Sequence, residues 1–128
     1  MAKKQIPSDV RRLILRNLPS IPHLEALMLL HASAPASWSA PDLARRLYVA
    51  PAKAREVLDY LRRAGMLRGG ASPSSYLFSP RREELRHLID TLALLYSSHL
   101  VEITLLIHAK LDRVAHHRAN AAGAKTGT

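Results

Sequence analysis

Ser39-Ala-Pro-Asp-Leu-Ala-Arg-Arg-Leu47, the short turn Tyr48-Val-Ala50, the run Pro51 to Arg63, and Gly65-Met-Leu-Arg-Gly-Gly70 with Tyr76-Leu-Phe78 behind it together decide the fold. A serine hydroxyl accepts from the free amides at the head of a helix, and proline belongs in the first turn. Ser39, Pro41 and Asp42 therefore predict a helix start. Leu43, Ala44 and Leu47 fall on one face of that helix, which is too short to stand alone. In the second run Ala54, Val57, Leu58 and Leu61 point inward, while Lys53, Arg55, Glu56, Arg62 and Arg63 point outward. It ends at Ala64-Gly65, where glycine takes the left-handed cap. Two short helices joined by a tight turn form a helix-turn-helix.

Working outward from this stretch, Met66-Leu-Arg68 and Tyr76-Leu-Phe78 are strand-like runs, and the glycine, proline and serine residues between them predict a hairpin loop. Residues 1–19 carry Lys3, Lys4, Arg11, Arg12 and Arg16 against Asp9 alone, with Val10, Leu13, Ile14 and Leu18 at helical spacing. They form a basic amphipathic arm or helix, which either packs on the domain or a partner chain or touches phosphate. Pro22 to Ala32 predicts a helix that floors the core through Leu24, Leu27, Met28 and Leu30. Trp38, the only tryptophan, sits in the following loop, where a large aromatic seals the edge of a domain rather than stacking on a ligand.

From Ser79-Pro80 onward nothing breaks the helical pattern until Gly123. Ser79 is the expected cap of a long helix over 80–118, and a helical segment of about 35 residues would run near 50 Å at ~1.5 Å per residue. Leu85, Ile89, Leu92, Tyr96, Leu100, Ile103, Ile107, Leu111 and Val114 follow one another along it in steps of three or four. Leu88, Leu95 and Leu106 widen this stripe beyond what docking on a small domain needs. The stripe from Leu85 to Leu111 is accordingly the expected homodimer interface. Ser97-Ser-His99 and the β-branched Val101, Ile103 and Thr104 are weaker helix formers that can bend or split the element. His99 is a candidate polar contact at the dimer seam, and residues 119–128 form a small, polar tail expected to fray.

The chain has 128 residues, 48% of them apolar, enough for one domain with an extension and a modest core. Its formal charge of +9 points to a polyanionic or otherwise acidic partner. The lack of cysteine excludes disulfides, thiolate metal sites and cysteine nucleophiles, and fits a reducing cytoplasm. Charged residues interrupt every apolar run before Ile21, so no signal peptide is expected. The most apolar window, Leu88 to Ala109, contains Asp90, His99 and Glu102. Each carboxylate would cost about 3 kcal/mol at mid-bilayer, so this is a buried or partner-facing helix rather than a membrane span.

The order helix, helix, helix, hairpin, long helix resembles the bacterial winged helix-turn-helix regulators of the MarR and PadR sort. Leu24-Glu-Ala-Leu-Met-Leu-Leu30, Asp42-Leu-Ala-Arg-Arg-Leu47, Val57-Leu-Asp-Tyr-Leu-Arg-Arg-Ala-Gly-Met-Leu67 and Tyr76-Leu-Phe78 carry the resemblance, over residues 20–79. It implies a mainly α fold with a small β-hairpin: a winged helix-turn-helix domain plus a long C-terminal dimerisation helix. It also implies a cytoplasmic, dimeric transcriptional regulator that places its second motif helix in the major groove of double-stranded DNA. Ala52, Lys53, Arg55, Glu56 and Asp59 would then occupy the groove-facing surface, Arg45 and Arg46 would lie near a phosphate strand, and Arg68 would stand at the base of the wing. Two features depart from the pattern. The wing tip Ala71-Ser-Pro-Ser-Ser75 carries no charge, and Glu56 and Asp59 oppose phosphate unless paired with Arg55, Arg62 or Arg63.

Between Asp42 and Arg68, seven basic residues stand against three acidic ones, a candidate phosphate footprint or an ordinary solvated surface. Lys53 and Arg55 near the head of the second helix suit base edges or phosphate, and Arg62 and Arg63 suit the backbone. The alternative is a winged-helix module that docks on another protein. His116-His117 and His108 lack ligand spacing, so neither metal nor cofactor is expected. Nothing resembles a glycine-rich phosphate loop, a nucleophile elbow or a carboxylate pair with a histidine, so catalysis is not expected.

Overall fold

The computed structural model describes residues 6–70 and 74–109. It is mainly helical with a small three-stranded antiparallel sheet. The elements run α1 (Ser8–Asn17), α2 (Ile21–Ser33), β1 (Trp38–Ser39), α3 (Ala40–Leu47), α4 (Pro51–Arg63), β2 (Leu67–Gly69), β3 (Ser75–Phe78), α5 (Glu83–Tyr96) and α6 (Leu100–Ala109).

Ser39 caps α3 as its sequence predicts, its hydroxyl accepting from the Asp42 amide at 3.2 Å. Tyr48 ends α3 in the left-handed region at φ 57°, a conformation that costs a non-glycine residue about 1 kcal/mol. The chain reverses there and enters α4 through Pro51. Gly65 stops α4 at φ +85°. Leu43, Ala54, Val57, Leu58 and Leu61 meet in one core with Leu24, Leu27 and Leu30 of α2. Burial of such side chains contributes about 2 kcal/mol each and holds two helices too short to persist alone.

The hairpin of β2 and β3 pairs Leu67 with Phe78 and Gly69 with Tyr76. A third strand, β1, joins the free edge of β3 through Trp38 opposite Tyr76, so the expected loop at Trp38 is partly strand. Trp38 is half-buried, and its indole N–H donates to Ser33 Oγ at 2.9 Å, closing the edge of the domain. The predicted helix at residues 1–19 is α1 over its described part, with Val10, Leu13 and Ile14 buried against the core.

The expected helix over 80–118 is corrected at its start, and it splits at the weak helix formers Ser97-Ser98-His99 that the sequence marks. It begins at Glu83 rather than at Pro80, because the amides of Ser79 and Arg81 donate to Met66 O at 3.1 Å and Gly65 O at 2.8 Å and hold that segment along the sheet. It then breaks between Tyr96 and Leu100, and α5 and α6 are bent by 116°. Ser98 Oγ donates to Leu95 O at 3.4 Å and contacts His99 Nδ1 at 2.8 Å, so local side-chain bonds compete with the helix where propensity is weakest. The bend carries Ile103 and Ile107 of α6 into the same core as Ile89 and Leu92 of α5. No single helix among the described residues is long and apolar enough to cross a membrane.

Candidate nucleic-acid interface

Successive residues of a helix turn by roughly 100°, so the buried side chains of α4 define its opposite, outward face. Ala52, Glu56 and Arg63 lie near the middle of that face and are exposed. Arg55, Asp59 and Arg62 follow one flank at spacings of four and three, and Lys53 lies on the other flank, half-buried. The flank of Arg55, Asp59 and Arg62 faces the hairpin. There the Tyr76 hydroxyl donates to Asp59 Oδ1 at 2.6 Å, and Arg62 stands 3.7 Å from the same carboxylate. Burial, followed by this hydrogen bond to Asp59, holds the Tyr76 phenol above the usual tyrosine range, while Arg55 and Arg62 pull the other way.

Asp59 is thus a latch between α4 and β3 rather than a bare carboxylate on a reading face. Glu56 is not removed in this way. It remains exposed, with Lys53 Nζ at 3.6 Å. On α3, Arg45 is paired with Asp42 one turn back. Arg46 is exposed at the rim of two clefts, one beside Trp38 and one facing Glu25 and Tyr96. Arg68 is exposed on β2.

The predicted footprint therefore divides. Arg45, Lys53 and Arg62 are committed to carboxylates within their own helices. Arg46, Arg55, Arg63 and Arg68 have no carboxylate at ion-pair distance among the described residues. Tyr48, the first residue of the turn into α4, is 94% exposed. Its position just before Pro51 was the available signal, but left-handed geometry at a tyrosine is not readable from composition.

The expected dimer stripe divides as well. Ile89, Leu92, Ile103 and Ile107 are fully buried within the chain's own core, so they are not surface residues a partner can reach. This corrects their assignment: the bend between α5 and α6 turns the stripe inward. Leu85 and Tyr96 are half-buried, Leu100 is 45% exposed, and Leu111 lies outside the described residues, as do His116 and His117. The large apolar side chains left outside on these helices are Leu94, Leu100, Val101 and Leu105. His99 stands half-buried at the bend.

His23 is the one polar side chain buried in the core among the described residues. Its Nδ1 lies 2.6 Å from Ser20 Oγ and its ring meets Tyr60 edge-on at 4.9 Å, tying the head of α2 to α4. Among the described residues, no group of three or more histidine, aspartate or glutamate side chains is placed to hold a metal ion. No family model, no curated protein and no solved structure matches the chain.

Proposed function

We propose that this chain is a winged helix-turn-helix protein that binds double-stranded DNA as a homodimer and regulates transcription. One observation carries the reading: α3, a three-residue turn and α4 are followed directly by the β2–β3 hairpin, and four arginines with no carboxylate at ion-pair distance among the described residues lie on that unit. α4 enters the major groove with Ala52 and Arg55 toward base edges, Arg46 and Arg63 neutralise phosphate, and Arg68 follows the backbone at the base of the wing. Arg45, Lys53 and Arg62 contribute only when they leave their carboxylates. The excess of positive charge supplies affinity that does not depend on sequence.

Pairing runs through α5 and α6, whose exposed large apolar side chains are Leu94, Leu100, Val101 and Leu105. A two-fold dimer then reads half-sites one duplex turn apart, about 34 Å. Docking of a protein on the same unit is the second reading, favoured by the exposed carboxylate of Glu56 near the middle of the α4 face. Titrating a mixed-sequence duplex at several salt concentrations separates the two. A DNA-binding protein loses affinity steeply with salt, with a log–log slope near −0.9 per phosphate neutralised, whereas a protein-docking module shows weak or no binding. Charge reversal at Lys53 and Arg55 is the finer check, and unchanged duplex binding in both variants rejects α4 as the reading helix.

A further inference from the structure

Five of the chain's six aromatic side chains serve the fold. Trp38 donates to Ser33, Tyr60 meets the buried His23 edge-on, and Tyr76 donates to Asp59. Phe78 is buried against His31, and Tyr96 packs half-buried on the core. Tyr48 does none of this. It stands first in the turn between α3 and α4 with 94% of its surface exposed. Among the described residues its ring meets no other ring and no guanidinium group, and its hydroxyl has no hydrogen-bond partner.

The same residue carries backbone strain. At φ 57° it is the one residue other than glycine in the left-handed region among the described residues. Glycine would hold that conformation without the clash of a Cβ, and would leave no ring in water. Neither cost is offset by a contact within the chain, so the use of this side chain lies outside it.

Its place in the motif says where. Arg45 and Arg46 precede it in the last turn of α3, and Ala52 and Arg55 follow it on α4. In a docked helix-turn-helix the first helix crosses the DNA backbone while the head of the second reaches base edges, so the turn between them passes the phosphates at the edge of the groove. We propose that Tyr48 donates its phenol hydroxyl to one of these phosphates and lays its ring on the adjoining sugar, a role that rests on the DNA reading of α4. Tyrosine suits this place because it offers a donor and an apolar face without a charge. Such a contact fixes how the domain sits on the duplex, and it adds affinity without releasing a counterion. It differs in this from the contacts of Arg46, Arg55, Arg63 and Arg68.

Fluorescence anisotropy with a mixed-sequence duplex across a salt series, joined to melting curves, tests the wild type, Tyr48→Phe and Tyr48→Gly. Tyr48→Phe keeps the ring and removes the donor. It is expected to bind about tenfold more weakly, with the log–log salt slope unchanged, because the lost hydrogen bond runs from a neutral group to a charged one. Tyr48→Gly removes the ring and the strain together. It is expected to bind at least about tenfold more weakly and yet to melt several degrees higher. A residue with a merely structural role would not weaken binding while raising stability. The proposal is overturned if Tyr48→Phe binds as tightly as the wild type, or if Tyr48→Gly melts below it. A salt slope reduced by about 1 in either variant also overturns it, since that marks the displacement of a cation. Wild-type protein that binds no duplex at any salt concentration rejects the DNA reading itself, whereas salt-dependent binding that both variants retain in full rejects only the contact by Tyr48.

Discussion

Nε2 of His31 on α2 lies 2.8 Å from Oδ1 of Asp90 on α5, joining side chains 59 positions apart. A carboxylate ion only accepts, so Nε2 carries the proton and donates. The same imidazole meets Phe78 of β3 edge-on at 5.0 Å, and Arg86 of α5 lies 5.5 Å over the Phe78 ring. These contacts hold α5 against both α2 and the sheet. Asp90→Ala is expected to lower stability by about 1 kcal/mol, the worth of one such bond near the surface. Urea unfolding of Asp90→Ala, His31→Ala and the double variant checks it. A coupling energy near zero would assign the docking of α5 to apolar burial alone.

Tyr76 and Asp59 form the corresponding latch between the sheet and α4. Tyr76→Phe is expected to cost about 1 kcal/mol at neutral pH. The effect depends on alkaline pH with a defined sign. The folded-state phenol titrates above the ordinary value of 10.0, so in the window above pH 10 the unfolded chain has lost a proton that the folded chain keeps. Stability contributed by Tyr76 is therefore complete below pH 10 and is lost as pH rises through the folded-state value. Tyr96 shifts the same way, through burial and the nearby Glu25, and is common to both proteins. Urea midpoints at pH 8, 10 and 11 should fall more steeply for the wild type than for Tyr76→Phe.

Gly65→Ala places a side chain at φ +85° and sets its Cβ 3.3 Å from the Arg81 stem. The expected loss is about 1–2 kcal/mol, a fall of several degrees in melting temperature by calorimetry.

On duplex DNA, Arg46→Ala, Arg55→Ala, Arg63→Ala and Arg68→Ala should each weaken binding and reduce the salt slope by about 1, and Arg45→Ala by less, because Arg45 is already paired with Asp42. Glu56→Gln should tighten binding, since it removes a charge facing phosphate and releases Lys53. Fluorescence anisotropy across a salt series checks both. Equal losses at Arg45 and Arg46 would remove the distinction between paired and unpaired cations.

For the oligomer, Val101→Glu and Leu105→Glu should give a folded monomer by sedimentation, whereas Ile103→Glu should unfold the chain, because Ile103 is fully buried in its own core. A folded monomer from all three would return the buried stripe to the interface.

Local signals identified α3, the turn, α4 and the hairpin, because each is set by residues within a few positions: a serine cap, a proline in the first turn, apolar spacing and a glycine stop. The cationic residues of the candidate site were legible for the same reason. Their pairing was not. Whether Asp59 opposes phosphate or latches Tyr76 depends on a residue 17 positions away, and spacing along one helix carries no record of it.

The amino-acid sequence by itself determined the helical periods, the caps, the hairpin and the basic excess, since these follow from backbone preferences and side-chain charge. Tertiary structure alone decided which apolar stripe is core. The residues from Leu85 to Ile107 satisfy an unbroken helical period, yet three weak positions at Ser97, Ser98 and His99 allow a bend of 116° that buries Ile103 and Ile107 beside Ile89 and Leu92. Periodicity specifies which side of a helix is apolar, and only packing specifies what that side meets.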